Sequence, residues 1–513
     1  MLIAIMIAAA WTVPQTARAD GNLQHVNHII IVMQESHSFD NYFGALPYAP
    51  ASPYHRGPCA AGDHAYVDGL SCQRNPVNGK YVCHNSNRDD NNGKKVSAFH
   101  STDYCVDTDI DHSWFGVHRE LNFADPNGAL MASPMDGFVL QNDSSNQPDN
   151  GVETRTDDET MSFYNEGDIG FYYGLAQSFA ISDRYFAAVP GPTFPNRSYL
   201  MAATSFGHLT TNEEVPNIAT APFVFYKPIT GTIFDLLDTN KVSWADYSDD
   251  VPQATSFRNF LADQVHFRGY SGPTPFGNTM NSFLQDAAAG TLPAVSFVDP
   301  NFGIRVPTDE NDEHPGANGD IRKGQTFVAQ AINAVRNGPN WSDSIIFVTY
   351  DEHGGFFDHA APPAASQGGA LNPDGINPGQ CADRSNPPAS EMPNGGLNCA
   401  ESNGDAASLC PAFTPTGPYP ADCANFNQLG VRVPLTAISP FSKPHYVSHT
   451  VGDHTSLIGL IERRFLGGAH LTARDANANT LEDLFDFDDS PSLSTTLPAT
   501  PPAASPTDPG CRA

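Results

Sequence analysis

His28-Ile29-Ile30-Ile31-Val32-Met33, followed at once by Gln34-Glu35-Ser36-His37-Ser38-Phe39-Asp40, is the stretch that decides the fold. A continuous apolar run, with no alternation of polar and apolar residues, reads as a strand covered on both faces. Ile345-Ile346-Phe347-Val348-Thr349-Tyr350 repeats the pattern and is followed by Asp351-Glu352-His353-Gly354-Gly355. Ala294 to Val298 and Pro434 to Ile438 read as a third and a fourth strand. Helical patterns fall between them, at Gly231 to Leu237, Asn281 to Ala289, Ile321 to Asn337 and Thr455 to Phe465. In the third of these Phe327, Ala331, Ala334 and Val335 recur at helical spacing. Strand and helix alternating along the chain predict an α/β fold, a mostly parallel central sheet with helices on both faces.

Around these runs, the chain has 513 residues, of which 40% are hydrophobic and 16% charged, and its net charge is −31. Such a chain can bury a large core. Its acidity excludes nucleic acid as the expected partner, because a phosphate backbone is held by Lys and Arg. Met1 to Ala10 is almost wholly apolar, and Ala17-Arg18-Ala19 reads as a small-residue cleavage site, so residues 1–19 are expected to be a signal peptide. No basic residue precedes the apolar run, and a retained anchor is the rival reading. The mature chain is expected to carry no transmembrane segment and to be periplasmic or secreted. Cysteine usage agrees with export. Cys59, Cys72, Cys83 and Cys105 form one even set, and Cys381, Cys399, Cys410 and Cys423 another, with Cys511 left over. Each set of four allows three pairings, and both lie in stretches that read as disulfide-tied insertions, at about 50–105 and 361–430. A single domain is expected over 20–489, with a disordered Pro/Ser/Thr-rich tail at 490–513.

Ligands of open parallel sheets bind beyond the carboxyl ends of the strands. Here two buried strands deliver Glu35, Asp351 and Glu352 to one rim. Convergent carboxylates suit a hard divalent cation and are costly to bury without one. Capping and solvated loops are the competing explanation for any single acid. Asp107 to Asp111 begins like a calcium loop, but His112 and His118 stand where that loop needs Gly and Glu. The chain has no G-x-S-x-G elbow, no H-E-x-x-H helix and no phosphate-binding glycine loop. His112, His314, His353, His359 and His454 each sit beside Asp, Glu or Gly. Gly191-Pro192-Thr193-Phe194-Pro195-Asn196-Arg197 would present the Thr193 hydroxyl where a helix begins, a position that favours anions.

Seven stretches then occur in order: residues 34–44, Asp111 to Trp114, Met135 to Phe138, Gly191 to Arg197, Glu313 to Pro315, Asp351 to His359 and Asp453 to Ser456. Together they resemble the bacterial and fungal phosphoesterase family of phospholipases C and acid phosphatases, within the alkaline phosphatase superfamily. The resemblance runs from about residue 25 to 466. It implies an alkaline-phosphatase-like fold, a divalent metal ion, and phosphate monoesters or phospholipid head groups as substrates. It implies Glu35, Ser36, Asp351 and Glu352 as metal ligands. Thr193 would be the nucleophile and also touch the metal, while His112 and His314 would act on the phosphate or the leaving group. His353, Asn196 and His454 are candidate contacts to the substrate phosphate. One residue departs from the family pattern: Ser36 stands where an Asn ligand is usual. A catalytically weakened secreted binding protein of the same fold is the alternative, supported by Ser36 alone.

Overall fold

The computed structural model describes residues 22–89, 93–106, 109–126, 133–144, 156–205, 211, 230–257, 263, 265–273, 280–305, 310–316, 319–365 and 426–501. Eight described strands form one sheet: β1 His28–Gln34, β2 Ala180–Ser182, β3 Trp244–Tyr247, β4 Phe267–Arg268, β5 Val295–Val298, β6 Ser344–Tyr350, β7 Leu435–Ile438 and β8 Val447–Ser448. Their order is β4-β3-β5-β1-β6-β7-β2-β8. β1 is parallel to both its neighbours, with Ile29 opposite Val295 on one side and Ile345 on the other. Only β7 runs against its neighbours, so the sheet is mostly parallel, as the apolar runs predict.

Successive strand residues point to opposite faces. Ile29 to Gln34 and every residue of β6 are buried, so both faces at the centre of the sheet are covered. Each such Ile or Val contributes about 1.5–3 kcal/mol by leaving water. Five helices frame the carboxyl edge of the sheet and its surroundings: α1 Phe39–Phe43, α2 Trp114–Leu121, α3 Thr193–Ala202, α4 Ile321–Asn337 and α5 His454–Phe465. α4 starts where Asp320 caps it and buries the apolar stripe through Phe327, Ala331 and Val335. Asp453 caps α5 and exchanges hydrogen bonds with Ser456 in a capping box.

The region at 50–105 contains two hairpins, Cys72–Arg74 with Tyr81–Cys83 and Ser86–Arg88 with Lys95–Ser97. Cys72 and Cys83 are joined by a disulfide. Cys105 is also disulfide-bonded, while Cys59 is free and exposed, so this set of four does not pair among itself as expected. Residues 1–19, the second set of cysteines and Cys511 lie outside the described residues. The described part of the tail, 490–501, lies against the body: Ser492 donates to the Pro440 carbonyl, and Arg336 to that of Thr495.

Candidate active site at the carboxyl edge of the sheet

Gln34 and Tyr350 are the last paired residues of β1 and β6, so Glu35 and Asp351 leave the sheet side by side. Ser36 then turns through φ 71°, a left-handed conformation that most side chains resist. This turn aims the Ser36 backbone N–H at Asp351 Oδ1, 3.1 Å away. The same oxygen accepts from the Glu352 N–H at 2.8 Å. Gly354 and Gly355 also have positive φ, and a Cβ on Gly354 would stand 2.2 Å from the Ser36 carbonyl oxygen. Only glycine lets the two loops close so tightly.

Thr193 is the first residue of α3, with Pro192 as its cap, as the sequence predicts. Four residues on, the same face of the helix carries Arg197. Its Nε lies 3.2 Å from Glu35 Oε1 and 3.1 Å from Asp351 Oδ2. Nη2 donates to the Gln34 carbonyl at 3.0 Å, and Phe302 covers the guanidinium at 4.9 Å. Arg197 therefore ties the helix bearing the hydroxyl to the two strand ends bearing the acids. Its signal in the sequence is the i, i+4 spacing from Thr193.

Charge is short at this rim. Burial pushes Glu35 up to about 8 despite Arg197, with Asp351 and Glu352 adding repulsion. Burial also raises Asp351 and holds Asp312 well above its usual range. Burial would raise Glu352 too, but His112 and His353 outweigh it and keep that carboxyl below its ordinary value. The buried atoms Ser36 Oγ, Glu352 Oε1 and Arg197 Nη1 have no hydrogen-bond partner. A set of hard oxygen donors, buried with too little positive charge and with orphaned acceptors, fits a divalent cation. Among the described residues, two groups of three bring donors within 4.8 Å of one another: Asp109, His112 and His314, and Asp40, Asp358 and His359. Neither includes Glu35, Asp351 or Glu352.

His112 and His314 do come together, their rings 5.3 Å apart and edge to face. Asp109 lies 3.5 Å from the first and 4.0 Å from the second. Burial opposes a charge on His112, but Glu352, Asp109 and Asp111 prevail and raise it to about 10. His314 is presented by Glu313, whose own φ is 75°. The Glu313 carboxyl accepts from Tyr42, Tyr172 and Tyr350 at 2.6, 2.5 and 2.8 Å.

The three candidate phosphate contacts are placed differently. Asn196 uses its side chain on its own loop, accepting from Val189 N–H at 3.0 Å and donating to the Gly191 and Pro192 carbonyls. His353 is buried between two carboxylates, Glu120 at 2.9 Å and Glu352 at 3.3 Å. His454 donates through Nε2 to the Asp351 carbonyl at 2.6 Å and faces Tyr185 through Nδ1. Burial keeps His454 neutral, near 4. Asn196 thus holds its own loop, while His353 and His454 meet the Glu352 carboxyl and the Asp351 backbone. Sequence reasoning assigns no role to Arg197, Asp312, Glu120 or Glu313. The last three sit on segments whose meeting depends on tertiary packing.

The chain was compared with known proteins. The chain matches Non-specific phospholipase C6 of Arabidopsis thaliana with 28% identity over 482 residues, covering 92% of this chain and 74% of that one. Non-specific phospholipase C1 of the same plant is 30% identical over 479 residues, covering 91% and 72%. Non-hemolytic phospholipase C of Pseudomonas aeruginosa is 28% identical over 480 residues, covering 90% and 56%. The model of the Phosphoesterase family matches residues 26–466, which include Glu35, Thr193 and Asp351 alike, and the chain belongs to that family.

Proposed function

We propose that the chain hydrolyses phosphate esters, phospholipid head-group esters among them, with Thr193 as nucleophile at a metal-holding rim. Family membership makes it a phosphoric ester hydrolase. The named relatives are phospholipases C, which supports the lipid substrate. Among the described residues no helix is long and apolar enough to cross a membrane. The disulfide and the N-terminal residues support export to the periplasm or medium.

The observation that carries the mechanism is Arg197, which ties the helix that Thr193 begins to the Glu35 and Asp351 carboxylates. Glu35, Ser36, Asp351 and Glu352 would hold a divalent ion, with Thr193 beside them. Such an ion neutralises phosphate charge and makes a neighbouring hydroxyl easier to deprotonate. Thr193 Oγ attacks phosphorus in line, the ester oxygen departs, and water then releases the phosphoryl group from Thr193. His112, beside Asp109 and with its ring against His314, suits a phosphate oxygen or the departing alkoxide. His353 and His454 keep Glu352 and the Asp351 backbone in place. Phosphorus NMR with phosphatidylcholine and a monoester in one tube tests the reading. Phosphocholine release that Thr193→Ala abolishes, with folding intact, supports it. Full activity in Thr193→Ala overturns the nucleophile, and inorganic phosphate from the monoester alone overturns the lipid substrate.

A further inference from the structure

One stretch of this acidic chain is basic. Residues 72–97 hold five of the 26 Lys and Arg and only two of the 57 Asp and Glu. They form the two hairpins described above, Cys72–Arg74 with Tyr81–Cys83 and Ser86–Arg88 with Lys95–Ser97. In the first, Cys72 and Cys83 turn inward to a buried cluster with Val117, Phe138 and Phe357. Val82, next to Cys83, points the other way and is 64% exposed. Val77, at the tip, is 93% exposed, and these two are the most exposed large apolar side chains among the described residues. A single exposed Val is ordinary, but here both stand on one hairpin. The tip also meets its own hydrogen-bonding needs. Asn75 Oδ1 accepts from the Val77 and Asn78 N–H groups at 2.8 and 3.3 Å, and Asn78 Oδ1 from that of Lys80 at 3.1 Å. The Asn75 N–H donates to the Lys80 carbonyl at 2.8 Å, and Gly79, at φ 72°, donates back to the Asn75 carbonyl at 2.9 Å. Every N–H from Asn75 to Lys80 is thus bonded within the turn, Pro76 having none. Such a turn can leave water without stranding its donors.

We propose that these hairpins dock the chain on a bilayer surface that carries anionic phospholipid. Val77 and Val82 enter the head-group region, and the exposed Lys80 and Lys95 lie against lipid phosphates. Arg74 is already paired with Glu166 at 2.6 Å and adds little. Lys95 stands directly opposite Arg88 across the second hairpin. Like charges so placed repel each other, and an anionic surface relieves that repulsion. The rest of the chain is acidic and repels such a bilayer, but over about 8 Å at physiological ionic strength that repulsion is screened, so the part that touches first decides the outcome. The hairpins rest on the layer next to the rim. Asn87 donates to the Met135 carbonyl at 3.0 Å and accepts from the Phe138 N–H at 2.9 Å. The Phe138 ring in turn lies edge-on to His353, 6.0 Å between centroids. Docking therefore acts one packed layer from the proposed site, and it rests on the lipid reading above for its purpose.

The test is sedimentation of the full chain with vesicles of phosphatidylcholine mixed with phosphatidylglycerol, and with vesicles of phosphatidylcholine alone. The natural sequence should bind the mixed vesicles more tightly, and added salt should loosen that binding. Val77→Asp, and Lys80→Glu combined with Lys95→Glu, should each weaken binding to mixed vesicles at least tenfold. Both should leave hydrolysis of a soluble phosphate monoester unchanged. The proposal is overturned by no binding of the natural chain, by equal binding to the two kinds of vesicle, or by a loss below tenfold in either variant. A matching loss of monoester hydrolysis also overturns it, since the damage would then be general. Where Val77→Asp does not fold, Val77→Ser is held to the same threshold. Sedimentation reads docking and phosphocholine release reads turnover. Turnover without docking leaves the lipid reading standing, and docking without turnover leaves this proposal standing.

Discussion

Two buried acidic regions lie on either side of the Ser36 to Asp40 loop, and they are satisfied in opposite ways. At the second, Arg432 reaches Asp358 at 2.9 Å and Asp40 at 3.2 Å, and donates to the Asp68 and Asp183 carbonyls. His359 sits between Asp40 at 2.6 Å and Asp68 at 3.1 Å. No side-chain N or O atom of these residues is left buried without a partner. Asp40, Asp358 and His359 lie close enough together for a metal, but the guanidinium already occupies their charge. At the rim, Arg197 serves Glu35 and Asp351 and leaves Glu352 Oε1 and Ser36 Oγ orphaned. A paired network holds a fold together, while an under-paired one is kept for something that binds. Counting acids does not separate the two regions; counting their partners does.

The strongest effect is expected on the paired side. Arg432→Met takes the guanidinium away from two buried carboxylates and should cost about 3–5 kcal/mol, read by denaturant unfolding. A loss below about 1 kcal/mol, the scale of an exposed ion pair, would erase the contrast between the regions. On the rim, Asp351→Asn changes a carboxylate that shares one guanidinium, that of Arg197, with Glu35. Stability should change little while hydrolysis falls roughly 10²–10³-fold, the scale for losing one electrostatic group at a reacting centre. A fall in stability that matched the fall in rate would make the rim just another structural network.

The third expectation concerns pH. Burial opposes a charge on His359, but Asp40 and Asp68 raise it from 6.5 to about 9. The folded state thus holds a proton that the unfolded chain releases near 6.5, so this stabilisation is complete below that pH and is lost as pH rises through 9. The melting temperature should fall across that window, and His359→Gln should flatten the slope. The smallest effect belongs to Ser36. Its φ of 71° is a conformation that Asn adopts more readily. Ser36→Asn should raise stability by a few tenths of a kcal/mol in thermal melts and bind metal more tightly in competition with a chelator. Weaker metal binding would show that the Ser36 side chain faces away from the ion.

The sheet centre is legible because β1 and β6 are long apolar runs and β5 and β7 short, mostly apolar ones, and the Ile321 to Asn337 helix is legible to the residue because its stripe is long. β2, β3, β4 and β8 are not. With two to four residues each, their pairing comes from neighbouring strands rather than from their own pattern. Thr193 at a helix start and the pair Glu35 and Asp351 at adjacent strand ends follow from the sequence. The partners of Asn196, His353 and His454 do not, since each depends on a residue distant in sequence or on the path of its own loop. Cys105 shows the same limit: even counts within a segment do not fix pairing.

We propose that a divalent metal is held at the under-paired rim and not in the paired network. The direct measurement is the metal content of purified chain, by elemental analysis after gel filtration and reloading, for the natural sequence, Asp351→Asn and Asp358→Asn, beside their hydrolysis rates. Asp351→Asn should lose a divalent ion together with activity, and folded Asp358→Asn should keep both. Metal retained by Asp351→Asn, or lost by Asp358→Asn, would contradict that placement.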